Sequence, residues 1–154
     1  TPKAEDVSYP TLLDFPAPRL RACTRETVIA EKLHAMTVLG IVNSRMRDFY
    51  DVYVLAQDFA FDGVMLSRAI SATFERRSTA LPAQLPLALT EQFGQNTAKQ
   101  TQWRAFLRRS GVGNVSDKLA AVVASLAAFL GPVLNALAEH RPFSRKWQPS
   151  GPWQ

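Results

Sequence analysis

Five charged residues stand where a pair of amphipathic helices ought to be apolar. Val28, Ile29, Leu33, Ala35, Met36 and Leu39 recur at helical spacing, and Lys32 lies in the middle of that stripe with Glu31 at its edge. On the next segment Phe49, Val52, Tyr53, Leu55 and Ala56 form a second stripe. Arg45 and Asp48 share its face, and Asp51 lies one turn beyond Asp48 at its border. An ammonium among carboxylates has two readings. It is a buried ion pair that fixes how two helices pair, or it is a site that a phosphate or a metal-bound ligand reaches from a cleft. Desolvating both charges cancels much of their attraction, which makes the pair an inefficient device for stability alone. Both readings stand on spacing.

The elements that must position these groups are legible around them. Thr24 is placed to cap the first helix, with Glu26 in its first turn and Gly40 to end it. After a short connection at Gly40–Val42, Asn43 or Ser44 is placed to cap the second. In an antiparallel hairpin Lys32 stands roughly 12 Å before the turn, and Asp48 and Asp51 roughly 7 to 12 Å after it, at the helical rise per residue. The spacing predicts that the three meet.

Upstream, Pro2, Pro10, Pro16 and Pro18 exclude a long helix and predict an extended arm with a short strand near 7–9 or 12–15. Downstream, Asp62 is placed to cap a helix over 64–76, whose Leu66, Ala69, Ile70, Thr73 and Phe74 should pack on the hairpin. Arg68, Arg76 and Arg77 fall at or near its other side. A Pro-punctuated loop at 78–86, a short helix near 87–93 and a helix from Asn96 or Thr97 to about Arg109 follow. In the last of these, Trp103, Phe106 and Leu107 have core spacing, while Arg104, Arg108 and Arg109 would suit a phosphate backbone. Ser116 and Asp117 are placed to cap the most apolar segment, 119–130, which Gly131 and Pro132 should end or kink before it resumes through Ala138. Ser125, Gly131, Pro132 and Asn135 interrupt it, so a buried helix is expected rather than a membrane span. Residues 141–154 have no helical period and form a tail, docked through Trp147 or Trp153 or else mobile.

With 154 residues, 47% hydrophobic and 20% charged, the chain has ordinary composition for one globular core. Its net charge of +5 suits a polyanionic partner such as RNA. A single cysteine, Cys23, excludes an internal disulfide framework and fits a reducing compartment. Cys23, His34 and His140 are too scattered for a zinc site. No signal peptide is visible, and a cytoplasmic location is expected.

Quoted as they stand, VIAEKLHAM (28–36) and NSRMRDFYDVYVLA (43–56) resemble the two later motifs of the AbiEii/AbiGii family of abortive-infection, toxin–antitoxin nucleotidyltransferases. The flanking YPTLLDFPAPRLRACTRET and FDGVMLSRAISATFERRSTALP read like the same family, and the resemblance extends to about Leu107. Its pattern of Glu and Lys on one helix, then Arg, a basic residue, Asp and a second Asp on the next, falls on Glu31, Lys32, Arg45, Arg47, Asp48 and Asp51. Arg47 stands where the family has lysine, and Cys23 where an aromatic is common.

The resemblance implies transfer of a nucleotide from a nucleoside triphosphate to an RNA acceptor, with tRNA 3′ ends as targets in several members and an antitoxin as a possible partner. It implies Lys32 at the triphosphate, Asp48 at the acceptor hydroxyl or positioning the nucleotide, Arg45 and Arg47 binding nucleotide, and Glu31 and Asp51 in support. It also implies Mg2+ held by an upstream pair of aspartates that alternate on a strand. No two of the thirteen acidic residues have that spacing, and Thr1 falls in what would be the middle of the family sequence. The chain therefore reads as a C-terminal portion whose N-terminal half and β-sheet core are largely missing. It is expected to be inert alone, with Mg2+ and nucleoside triphosphate required by the intact family member and no cofactor bound to this chain by itself.

The expectation is a mainly α protein, a bundle of about five to seven helices. It has an extended arm at 1–23, a helical domain at 24–140 and an irregular tail at 141–154. Two readings without catalysis remain beside it. One is a helical module that binds an antitoxin or other partner protein; the other is an RNA-binding domain using Arg76, Arg77, Arg104, Arg108 and Arg109.

Overall fold

Thr24, Asp62, Thr90 and Asn96 each turn a side-chain oxygen onto a backbone N–H two or three residues ahead, and a helix follows each of them. These caps set the frame of a computed structural model that describes residues 24–154; the arm expected over 1–23, with Cys23, lies outside the described residues. The elements are α1 (Arg25–Leu39), a 3-10 turn (Gly40–Val42), α2 (Met46–Asp58), β1 (Phe61–Asp62) and α3 (Gly63–Arg76). They continue with a second 3-10 turn (Leu87–Leu89), α4 (Glu91–Gly94), α5 (Thr97–Ser110), α6 (Leu119–Ala138) and β2 (Lys146–Trp147). With six α-helices and one two-stranded sheet among the described residues, the chain is mainly α, as its periodicity predicts.

The long apolar helix α6 is the hub, packed against α2, α3, α4 and α5, while α1 lies along α3. By length and composition α6 matches a membrane span, but half of its apolar window is buried inside the fold, which accounts for its hydropathy as a core helix. It runs unbroken through Pro132, where an end or kink is expected. Pro132 and Ala128 both lie on the exposed side, so the carbonyl that loses its helical partner faces water.

Two other expectations are corrected. The start of α2 is at Arg45, and Asn43 Oδ1 instead accepts from the Arg45 N–H at 2.8 Å, closing a turn just before the helix. The start of α6 is at Lys118, not capped by Ser116 or Asp117: Gln100 Oε1 accepts from Leu119 N at 2.9 Å, so a side chain of α5 does that work. The short helix near 87–93 resolves into the second 3-10 turn and the single turn of α4.

The tail is docked. Trp147 and Trp153 are buried with Phe61, Phe129 and Phe143, with Phe129 and Trp147 ring centroids 4.7 Å apart. Their indole N–H groups donate to Ala56 O and Phe129 O at 2.9 and 2.8 Å. β2 pairs antiparallel with β1, Phe61 opposite Trp147, and Lys146 reaches Asp62 at 2.8 Å. That approach leaves no room for a side chain at Gly63, whose Cβ would fall 2.6 Å from Arg145 O. At the other end of α2, α5 lies alongside in the same direction: Lys99 bonds Asn43, and Phe106 meets Tyr50 with ring centroids 5.8 Å apart.

Candidate functional site

Lys32 projects from the buried side of α1, among Val28, Ile29, Leu33 and Met36, toward the first turns of α2. Its Nζ lies 3.0 Å from Asp48 Oδ1 and 3.1 Å from Asp51 Oδ2. The ammonium thus bridges two carboxylates three residues apart on one helix face, which is the spacing that brings them level. All three are interior: Lys32 is 7% exposed, Asp48 1% and Asp51 0%.

Each carboxylate has a second cation. Arg45 Nε stands 3.1 Å from Asp48 Oδ2, and Arg47 Nε donates to Asp51 Oδ1 at 3.3 Å. Both arginine side chains are about half exposed, 56% and 42%, and both pair through Nε. A guanidinium so held keeps a fixed plane, and its remaining N–H groups are the forked donors that match a phosphate. The layering runs outward from a buried ammonium to buried carboxylates to exposed arginines. Three cations against two carboxylates leave the cluster net positive.

Burial pulls the pKa of Lys32 down, and the fields and hydrogen bonds of Asp48 and Asp51 more than reverse this, so its ammonium is held above the usual 10.5. Lys32 is charged at any physiological pH. Its proton is therefore not available as an acid, and its role is electrostatic.

The same carboxylates do not fit a divalent cation. Each already has an ammonium and a guanidinium against it, and no group of three or more His, Cys, Asp or Glu suited to a metal is present among the described residues. No step involving Mg2+ is assigned to Asp48 or Asp51.

Spacing marks Lys32, Arg45, Asp48 and Asp51, the family resemblance adds Arg47, and these come together. Glu31 does not join them. It turns to α3, where it takes both Arg76, through its NH2 group, and Arg77 at 2.7 Å. Arg76 and Arg77 are therefore engaged with a carboxylate, unlike the free cations that an RNA surface would use. His34, one turn along α1, is at 2.8 Å from Thr79 Oγ1 and edge-on to Phe74, and burial together with Arg77 lowers its pKa.

One buried group was not singled out. Lys99, also interior, donates to Asn43 O at 2.7 Å and to Gln102 Oε1 at 3.3 Å, and lies over the Phe93 ring. Asn43 is fully buried, and its Nδ2 has no hydrogen-bond partner among the described residues. Lys99 therefore anchors the backbone two residues before Arg45. The signal was present: Lys99, Trp103 and Phe106 recur at helical spacing, the same test that picks out Lys32.

A family model described as "Nucleotidyl transferase AbiEii toxin, Type IV TA system" matches residues 1–125. No curated protein and no solved structure matches the chain.

Proposed function

The chain belongs to the AbiEii family of nucleotidyl transferase toxins from type IV toxin–antitoxin systems, and on that premise we propose that the α1–α2 cluster is the phosphate-handling side of a nucleotide-transfer site. The reaction moves a nucleotidyl group from a nucleoside triphosphate to an RNA hydroxyl, probed most directly with tRNA. The P–O bond to the acceptor forms as the bond to pyrophosphate breaks, and the hydroxyl proton leaves to a base. The observation that carries this reading is the bridge of Lys32 between Asp48 and Asp51, with Arg45 and Arg47 held outside it.

In this reading Arg45 and Arg47 contact the triphosphate oxygens and offset the charge that grows there. Asp48 and Asp51 fix the two guanidinium groups, and Lys32 holds the two carboxylates in place. Of the two roles implied for Asp48, positioning fits its contacts: its oxygens already face the Lys32 ammonium and the Arg45 guanidinium. Glu31 supports α1 against α3 and stands apart from the phosphates.

The chain by itself is catalytically inert in this reading, since no acidic pair in it has the alternating spacing that holds Mg2+ in the family. It acts in the cytoplasm alongside the antitoxin that a type IV system implies. The test has two parts. Millimolar inorganic tripolyphosphate, followed by NMR, should shift the signals of Arg45 and Arg47, and Arg45→Gln with Arg47→Gln should abolish the shift while the fold persists. Labelled nucleotide should not enter tRNA when this chain alone is supplied; incorporation above background would overturn the inert reading, and an unchanged tripolyphosphate response in the double variant would overturn the site.

A further inference from the structure

We propose that α5 is the track along which the RNA acceptor's phosphate backbone approaches the arginines at the start of α2. This rests on the nucleotide-transfer reading above and names the surface that the acceptor uses.

Charge without a full local explanation lies on α5 and its flanks. Residues 92–116 contain Lys99, Arg104, Arg108 and Arg109 and no acidic residue at all. Arg104, Arg108 and Arg109 are exposed, and among the described residues none of them has an ion-pair partner. A helix C-terminus favours cations in its last turn, which accounts for Arg108 and Arg109. It does not account for Arg104, which lies a turn earlier. Trp103 and Phe106 on the same helix are core residues, so the arginines are what α5 offers to solvent.

Placement connects this strip to the site. Lys99 bonds Asn43, so the start of α5 lies beside the start of α2, and the two helices run in the same direction. From that level Arg104 stands about 7 Å along the axis and Arg108 about 13 Å, at the helical rise per residue. Arg45, Arg47, Arg104 and Arg108 thus form a run of exposed cations that begins at the cluster and leads away from it. Arg76 and Arg77 converge on Glu31 at the α1–α3 contact and are not part of this run. Arg104 and Arg108, exposed and without an ion-pair partner among the described residues, extend the run on a helix that has no carboxylate of its own, which fits a polyanion of extended backbone, and RNA is the one the transfer reaction supplies.

The experiment follows anisotropy of labelled bulk tRNA with the full 154-residue chain between roughly 50 and 300 mM NaCl, the range in which phosphate contacts are most visible. Two triple variants remove equal charge. R104Q/R108Q/R109Q strips α5; R68Q/R141Q/R145Q strips exposed arginines from α3 and the tail. The α5 variant should bind about tenfold more weakly, and its log affinity should fall less steeply with log salt by about 2, at about 0.7 per phosphate contact. The second variant should bind within about twofold of the parent. Arg104→Gln alone, outside the last turn, should flatten the slope by about 0.7 and keeps the test valid if the triple variant folds poorly. Equal loss in both triple variants, or no loss in the α5 variant, overturns the track while leaving the nucleotide-transfer reading intact. Failure of the parent chain to bind tRNA at all overturns the acceptor reading together with the track.

Discussion

Two buried lysines approach the same end of α2 from opposite sides, and they are held by different chemistry. Lys32 arrives from α1 and meets two carboxylates; Lys99 arrives from α5 and meets a backbone carbonyl and a side-chain amide. The first is a charge balanced by charges, so removing it leaves two buried carboxylates with only their half-exposed arginines. The second is a charge balanced by dipoles and an aromatic face, so removing it strands only an acceptor. The difference separates a cluster of mutually balanced charges from an anchor that fixes where the helix begins.

The sharpest way to break this contrast is Lys32→Met. It should destabilise the fold by about 3–5 kcal/mol in urea unfolding, because Asp48 and Asp51 are left buried without their shared cation. K32M/D48L/D51L should recover most of that loss, since a buried ion cluster replaced whole by apolar side chains is often neutral in stability. Recovery of stability with loss of the tripolyphosphate response would tie the charges to phosphate. A cost below about 1 kcal/mol for K32M would mean that the carboxylates find other partners.

Lys99→Met comes next, at about 1–3 kcal/mol, the cost of an unsatisfied buried carbonyl at Asn43. A loss as large as that of K32M would erase the distinction between the two lysines. The alkaline limb of stability is a smaller effect. The folded pKa of Lys32 is raised, so its contribution is complete below the ordinary value of 10.5 and is lost only as pH climbs through the folded value above it. Melting temperature measured from neutral to strongly alkaline pH should show this component in the parent and in K99M, and lack it in the triple apolar variant. Smallest is Glu31→Gln. Arg76 and Arg77 are half exposed, so the change should cost at most about 1 kcal/mol and shrink with added salt.

The hairpin and its cluster were legible because both signals are local. A 3.6-residue period places Lys32 and Asp48 on apolar faces, and Thr24, Asp62 and Asn96 announce the helices they cap. Glu31 was harder, since its partners Arg76 and Arg77 come from a helix 45 residues on, and an edge position gives no direction. Ala35, Leu39 and Tyr53 were assigned to the stripes but are only half-buried, whereas Tyr50 is inside, because α5 covers a face that the hairpin alone would leave open. The pairing of Phe61 with Trp147 was not legible at all. Neither two-residue strand has a period, and nothing within either segment specifies a partner so distant in the chain.

Sequence separation also orders events during synthesis. Lys32 and Asp48 are 16 residues apart, while the Trp147 indole closes on Ala56 across 91. At translation rates of about 5–20 residues per second, the charged hairpin can assemble roughly 5–20 s before Trp147 emerges. At the end of that interval, for the nine residues or roughly 0.5–2 s between Ala138 and Trp147, the completed α6 lacks the ring that finally covers it, so a nascent chain is expected to expose a hydrophobic surface while its charged hairpin is already formed. Protease sensitivity of arrested chains, with α2 protected before α6, would report that order. The aromatic clasp thus closes after the charged hairpin is in place.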